Sequence, residues 1–307
     1  MKIAVMGAGG VGGYFGARLA AKGVEVTFIA RGAHFEAIRA RGLRLESANG
    51  NAHIQPARAT DTPADVGPVD YVLFATKLWD TAVAGQAIRP MIGADTAVIS
   101  LQNGVFAEQL LSEIVGGEHV MGGLAQISSF IAAPGVIRHA GTMARVVFGE
   151  LDGKRTPRAQ ALLEAFHEAG VDADIADNVE RAIWQKFVFL VGLSGVTAVT
   201  RQSIGPVRED TDTRALLAQV MAETATVARA KGIDIDPAFV DDRLAFMDTL
   251  PGDMTSSMAH DLAQGNRLEL DWLSGAVVHM GRELGVDTPA NAFIYTTLKL
   301  SAAGSSG

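Results

Sequence analysis

Residues 3–23 read IAVMGAGGVGGYFGARLAAKG, and the placement of the glycines in this stretch decides the fold. The apolar run before Gly7 has the composition of a buried strand, and the alanine-rich run after Gly12 has that of a helix, closed by Gly23. Between them Gly7, Gly9 and Gly12 stand in the spacing GxGxxG. In that arrangement the first glycine permits a tight turn, the second lets a pyrophosphate approach the backbone, and the third lets helix and strand pack closely. Ala8, Gly10 and Val11 complete the turn, and the backbone N–H groups from Gly7 to Gly12 would meet an anion at the positive end of the helix. A strand, this turn and a helix at the start of a chain predict a dinucleotide cradle.

Working outward, EVTFIAR (25–31) reads as a second strand and AHFEAIRARG (33–42) as a helix. DYVLFATK (70–77) and AVISLQNG (97–104) are strand-like, with the helical WDTAVAGQAIRPMI between them. HVMGGLAQISSF follows, and GVIRHAGTMARVVFGE (135–150) has the alternation of a late hairpin. Strands alternating with helices predict a doubly wound parallel sheet, an α/β domain over residues 1–177. After Asp177 the strand signals stop. VERAIWQKFVFLVGL, TRALLAQVMAETATVARAKG, DDRLAFMDTL and RLELDWLSGAVVHMGRELG all carry helical spacing. Leu217, Val220, Met221, Thr224 and Val227 form one stripe, with Gly232 at the C-cap after Lys231. Residues 178–307 therefore read as an all-α domain, ending in a flexible tail, SAAGSSG.

The 307 residues carry a net charge of −8, no cysteine and seven scattered histidines. The charge, with no long basic block, argues against a nucleic-acid partner. The absence of cysteine excludes disulfides, thiolate metal sites and a thiol nucleophile, and no histidine cluster has metal-ligand spacing, so no metal is expected. The N-terminal apolar run breaks into glycines without a cleavage pattern, which excludes a signal peptide. The run from Ile183 to Val199 falls short of a membrane span. A soluble, cytoplasmic protein without a membrane partner is the expectation. The broad apolar stripes of the helical domain are compatible with a homodimer.

Arg31 stands where an NAD site would place a carboxylate for the ribose 2′-hydroxyl. A guanidinium there suits a 2′-phosphate, which favours NADP(H) over NAD(H); the competing reading is an ordinary surface arginine. Lys77 and Asn103 end strands, where ligands bind in such sheets, although a solvated lysine and a turn-forming asparagine would occupy the same places. Lys186 is the one charge in IWQKFVFLVGLSGVTAV (183–199), sharing a helix face with Leu190 and roughly with Ser194. It is either a lysine snorkelling at the core edge or, in a dry cleft that lowers its pKa, a general acid. Ser257 and Glu269 have a spacing that allows a common helix face across Gly265. A helix-start serine and a solvated glutamate are their bland readings.

Taken in order, GAGGVGGYFGARLAAKG, FATK, LQNG, APGVIRHAG, WQKF, SSMAHDL before LELDWLSG, and DTPANAFIYTTLKL resemble the ketopantoate reductases (2-dehydropantoate 2-reductases) from residue 1 to about residue 300. The resemblance implies a Rossmann domain followed by a helical domain, NADPH as hydride donor, a small-molecule 2-keto acid as substrate, and a place in pantothenate biosynthesis. It implies Lys186 as the group that polarises the ketone and protonates the alkoxide, with Glu269 as its catalytic neighbour. It implies Ser257 on the substrate carboxylate, Asn103 between nicotinamide ribose and substrate, and Arg31 with Lys77 in the cofactor pocket. At two substrate-binding positions the chain departs from the family: Leu190 and Met254 stand where well-studied members carry asparagines that bond polar groups of ketopantoate. Neither replaces those bonds, and an unpartnered substrate hydroxyl costs about 1–3 kcal/mol. A more apolar 2-keto acid is therefore the rival to ketopantoate. The residues also leave open a different two-domain hydroxyacid or opine-type dehydrogenase, or a catalytically silent NADPH sensor. The joint presence of Lys186, Asn103, Ser257 and Glu269 speaks against the sensor.

Overall fold

The computed structural model describes residues 1–304 and divides the chain into two compact units, Met1–Ala182 and Ile183–Gly307. The first unit is built on β1 (Lys2–Met6), α1 (Gly10–Ala20), β2 (Glu25–Ile29), α2 (Gly32–Arg41), β3 (Leu43–Glu46), β4 (Ala52–Ile54), β5 (Arg58–Thr60) and β6 (Val69–Phe74). It continues with α3 (Thr81–Ala87), β7 (Ile92–Ser100), α4 (Ala107–Val115), β8 (Val120–Ala133), β9 (Val136–Glu150), α5 (Pro157–Glu168) and β10 (Asp172–Ile175). The strands form one ten-stranded sheet whose main path runs β4-β3-β9-β8-β7-β6-β1-β2-β5, with β10 on β9. From β5 to β8 every pairing is parallel, and the order reverses between β1 and β6. That reversal is the switch point where the loops after two neighbouring strands diverge to opposite faces and leave a crevice.

Side-chain alternation explains why both faces are covered. On β1, Ile3 and Val5 join one core cluster with Tyr14 and Phe15 of α1, while Ala4 and Met6 join the other. On β6, Tyr71 and Leu73 face the first cluster and Val72 and Phe74 the second. A strand buried on both sides reads as a continuous apolar run, which is how IAVM and YVLF appear in the sequence. GVIRHAGTMARVVFGE is not a hairpin by itself: Val136–Glu150 is the single strand β9, and its antiparallel partner is the preceding long strand β8.

The second unit is helical, as expected. Helix α6 (Val179–Thr200) leads into it, and α7 (Ile204–Glu209), α8 (Thr211–Ala230), α9 (Phe239–Asp248), α10 (Ser257–Ala263), α11 (Ser274–Leu284) and α12 (Pro289–Leu298) follow. Glycines on α6 let its neighbours approach: a Cβ at Gly192 would stand 2.5 Å from Met221 Cγ on α8, and one at Gly195 would stand 2.9 Å from Ile294 Cδ1 on α12. The stripe Leu217, Val220, Met221, Thr224 and Val227 is fully buried. Helix α6 has the length and apolarity of a membrane span, and 67% of its apolar window is buried inside the protein.

The segment DTPAN acquires a structural reason here. Pro289 opens α12, and the buried Glu223 of α8 caps it by accepting from the Ala290 N–H at 2.9 Å, the Asn291 N–H at 3.0 Å and Asn291 Nδ2 at 2.9 Å. A carboxylate at the positive end of a helix dipole satisfies donors that the helix itself cannot.

Two further expectations are corrected. Ser257 and Glu269 share no helix: α10 ends at Ala263, Gly265 turns at φ +69°, and Glu269 precedes a short 3-10 turn at Leu270–Trp272. The left-handed glycine breaks the periodicity that the spacing suggested. The tail is ordered at its start, because Ala302 accepts a backbone hydrogen bond from Leu268 at 2.9 Å and a Cβ at Gly304 would stand 2.7 Å from Gly265 O. Residues 305–307 lie outside the described residues.

Candidate active site residues

In the first unit the glycine turn follows β1 at the switch point. Gly7 has φ +95°, and a Cβ there would stand 2.8 Å from Ala75 O, so this glycine serves both the turn and the close passage of the loop after β6. A Cβ at Gly12 would meet Gly7 O at 2.3 Å and Val5 Cγ1 at 2.8 Å, which enforces helix–strand contact. Gly9 is different: nothing lies within 4 Å of its missing Cβ. Gly9 is also the N-cap of α1 and supplies no side-chain cap, so no N-cap side chain competes with an anion for the first N–H groups of the helix. The cradle thus fits the pyrophosphate of a dinucleotide. Ala8 is buried and donates its N–H to Ile29 O at 2.9 Å, and Val11 is half-buried against the core. Gly10 has a role that its place in the motif does not reveal: a Cβ would fall 2.1 Å from Ser129 O, because β8 crosses directly over it.

Arg31, at the N-cap of α2, is 65% exposed. The end of β2 offers no carboxylate, but the structure brings one from elsewhere. Asp80, in the 3-10 turn Leu78–Asp80, places Oδ2 3.8 Å from Arg31 Nη1. Lys77, exposed at the start of that turn, holds its ammonium 5.5 Å from the Trp79 ring centroid. Asn103 is half-buried in the loop after β7. Its neighbour Gln102 ties this loop to the Lys77 loop, donating from Nε2 to Thr76 O and to Thr81 Oγ1, each at 2.9 Å. The first unit therefore gathers the glycine turn, Arg31 with Asp80, Lys77 and Asn103 at the carboxyl ends of its parallel strands.

In the second unit Lys186 and Leu190 lie one turn apart on α6, and both are half-buried. Trp184 and Phe187, packed edge to face at 5.5 Å between centroids, form the core side of that turn. The serine pair of SSM divides its tasks. Ser256 is buried, caps α10 by accepting from the Ala259 N–H at 3.0 Å, and meets Thr197 Oγ1 of α6 at 2.9 Å. Ser257 is thereby relieved of capping and stands exposed, while Met254 is half-buried and fixed through its backbone carbonyl, which accepts from the Ile204 N–H at 2.9 Å. Glu269 is buried, at 7% exposure.

The sequence reading passed over four polar residues that shape these halves: His34, Asp80, Gln102 and Glu223. Each acts through a partner distant in sequence, so no local spacing announces it. Among the described residues no group of His, Asp and Glu has the geometry to hold a metal ion.

The chain matches two family models, one described as ketopantoate reductase PanE/ApbA over residues 3–153 and one as ketopantoate reductase PanE/ApbA C terminal over residues 178–302. It is 32% identical over 310 residues to a 2-dehydropantoate 2-reductase of Mesorhizobium japonicum, with 94% of each chain covered. The crystal structure of a PanE/ApbA family ketopantoate reductase from Ralstonia eutropha JMP134 superposes with a TM-score of 0.90 at 34% identity, covering 98% of both chains. A D-mandelate dehydrogenase solved with NADH and anilino(oxo)acetate superposes with a TM-score of 0.89 at 25% identity, again over 98% of both chains.

Proposed function

The chain belongs to the ketopantoate reductase family, oxidoreductases acting on the CH–OH/C=O couple with a nicotinamide cofactor, and from that premise we propose that it uses NADPH to reduce a 2-keto acid with an apolar side chain. The observation that carries the substrate assignment is Leu190, half-buried one turn beyond Lys186. With Met254 it offers methyl and thioether surface where hydrogen-bonding groups would be needed to hold a hydroxylated side chain. A structural neighbour of this chain gives the reading precedent, a dehydrogenase named for D-mandelate, whose side chain is a phenyl ring.

When bound, the reduced nicotinamide supplies a hydride to the carbonyl carbon. The chain's own residues do the rest. The glycine turn holds the pyrophosphate on backbone N–H groups, and Arg31 with Lys77 holds the 2′-phosphate. Asn103 orients the cofactor ribose and the substrate. Ser257 donates its hydroxyl to the substrate carboxylate. The Lys186 ammonium polarises the carbonyl oxygen and transfers a proton to it as negative charge develops, with Glu269 holding the ammonium in place.

The test is NADPH oxidation with ketopantoate, 2-ketoisovalerate and phenylglyoxylate side by side. The apolar acids should show kcat/KM about ten- to hundredfold above ketopantoate, the worth of one unpartnered buried hydroxyl. The double change Leu190→Asn with Met254→Asn should move preference back. A wild-type enzyme that strongly prefers ketopantoate would sink the apolar assignment, and turnover of no keto acid would sink the reductase reading.

A further inference from the structure

His34, in the first turn of α2, bridges the cofactor turn to the far end of the β8–β9 hairpin. Its Nδ1 accepts from the Gly135 N–H at 3.0 Å, and its Nε2 lies 2.9 Å from Ala8 O. A backbone N–H can only donate, so Nδ1 must be unprotonated and Nε2 must carry the proton it gives to Ala8. The two partners therefore fix one neutral tautomer. Burial lowers the pKa of this imidazole, with the Ala8 bond opposing that shift, and a lowered pKa favours the same neutral form.

What the bridge holds is the peptide that matters for anion binding. The Ala8 N–H is taken by Ile29 O at 2.9 Å and the Gly9 carbonyl by the Gly13 N–H at 2.7 Å. His34 takes the Ala8 carbonyl. In a trans peptide C=O and N–H point to opposite sides, so clamping the Ala8 oxygen turns the Gly9 N–H away from the imidazole. The hairpin at the other end of the bridge is itself seated on the cradle. Its Ser129 carbonyl lies where a Gly10 Cβ would be, its Ile137 side chain lies 2.8 Å from the Cβ position of Gly13, and Gly135, at φ +80°, rests on Ala37 of α2.

We propose that His34 is a positioning residue for cofactor binding, which sets the Ala8–Gly9 peptide in the orientation that receives the dinucleotide pyrophosphate by clamping it to the β8–β9 hairpin turn. The inference rests on the glycine turn being the cofactor site. Two variants test it against wild type, with NADPH and NADH affinities read by cofactor fluorescence and turnover read at saturating cofactor. His34→Phe keeps the ring's volume and loses both hydrogen bonds. His34→Gln keeps an amide that can donate to Ala8 and a carbonyl that can accept from Gly135.

For His34→Phe the dissociation constants of both dinucleotides should rise about tenfold, while kcat and the keto-acid KM stay within about twofold. His34→Gln should recover most of the affinity. Unchanged cofactor affinity in His34→Phe, or losses that fall on kcat and the keto-acid KM instead, would overturn the assignment. If His34→Phe does not fold, His34→Gln decides alone: near-wild-type affinity supports the bridge, and a tenfold loss with intact folding refutes it. Wild type that binds neither dinucleotide would overturn the cofactor reading and this inference with it, whereas equal binding by wild type and His34→Phe removes the inference alone.

Discussion

Replacing Glu223 by alanine should destabilise the second unit more than removal of almost any single surface charge. The carboxylate accepts from two backbone N–H groups of α12 and from Asn291 Nδ2, at 2.9–3.0 Å, and Ala290 and Asn291 are both buried. After truncation Asn291 Nδ2 keeps its bond to Val220 O at 3.2 Å, but the two backbone donors face a cavity. Each orphaned buried donor costs about 1–3 kcal/mol, and the lost anion at the helix N-terminus adds about 0.5–1 kcal/mol. The sum, about 2.5–7 kcal/mol, corresponds to a fall in Tm on the order of 10 °C or more. Glu223→Gln should lie between, since its amide keeps one acceptor and sets an NH2 group against a donor. Urea unfolding followed by tryptophan fluorescence in a Trp79→Phe background reports the unit directly, because the remaining Trp184 and Trp272 both belong to it. A Glu223→Ala midpoint equivalent to less than about 1 kcal/mol of loss would refute the capping argument and return DTPAN to an unexplained pattern.

Asp80 should temper the preference for NADPH proposed above. Asp80 Oδ2 stands 3.8 Å from Arg31 Nη1, so a 2′-phosphate held by Arg31 would feel its repulsion; two like charges about 5 Å apart at a water-like dielectric cost about 0.8 kcal/mol. Asp80→Asn should therefore raise NADPH affinity roughly four- to fifteenfold, for one or two phosphate charges, and leave NADH affinity unchanged; equal shifts for both would disprove the placement. The buried Glu150, at 6% exposure, is held by Arg158 through Oε1 at 2.7 Å and Oε2 at 2.6 Å and by Thr156 at 2.6 Å. Burial pushes its pKa up, but the Arg158 and Thr156 bonds outweigh burial and hold it below the usual carboxylate value. A depressed folded pKa gives stability that is present above the ordinary carboxylate pKa and lost as pH falls through the folded one. Arg158→Ala should lower the urea midpoint at neutral pH and flatten its decline below about pH 4.5; an acid limb as steep as wild type would count against the pair.

The sequence by itself determined what depends on local periodicity and on glycine. IAVM and YVLF, continuous apolar runs bounded by turns, read as strands, and GAGGVGG read as a turn that brings backbone close to a ligand or to itself. The helical stripe through Leu217, Val220, Met221, Thr224 and Val227 was legible for the same reason, because residues on one face of a helix recur at a fixed interval. What the tertiary structure alone decided is which residues separated in sequence share an atom's reach. No spacing within DTPAN points to Glu223, and nothing near Arg31 in sequence announces Asp80. The supposed helix joining Ser257 to Glu269 failed at Gly265, where one left-handed residue ends a period that composition had carried through. Gly10 shows the boundary most plainly: in the sequence it is one more glycine in a cofactor motif, and in the folded protein a strand from more than a hundred residues away occupies the space its side chain would need. Local patterns record the conformation of each segment, whereas the close approach of two segments depends on the path of the whole chain.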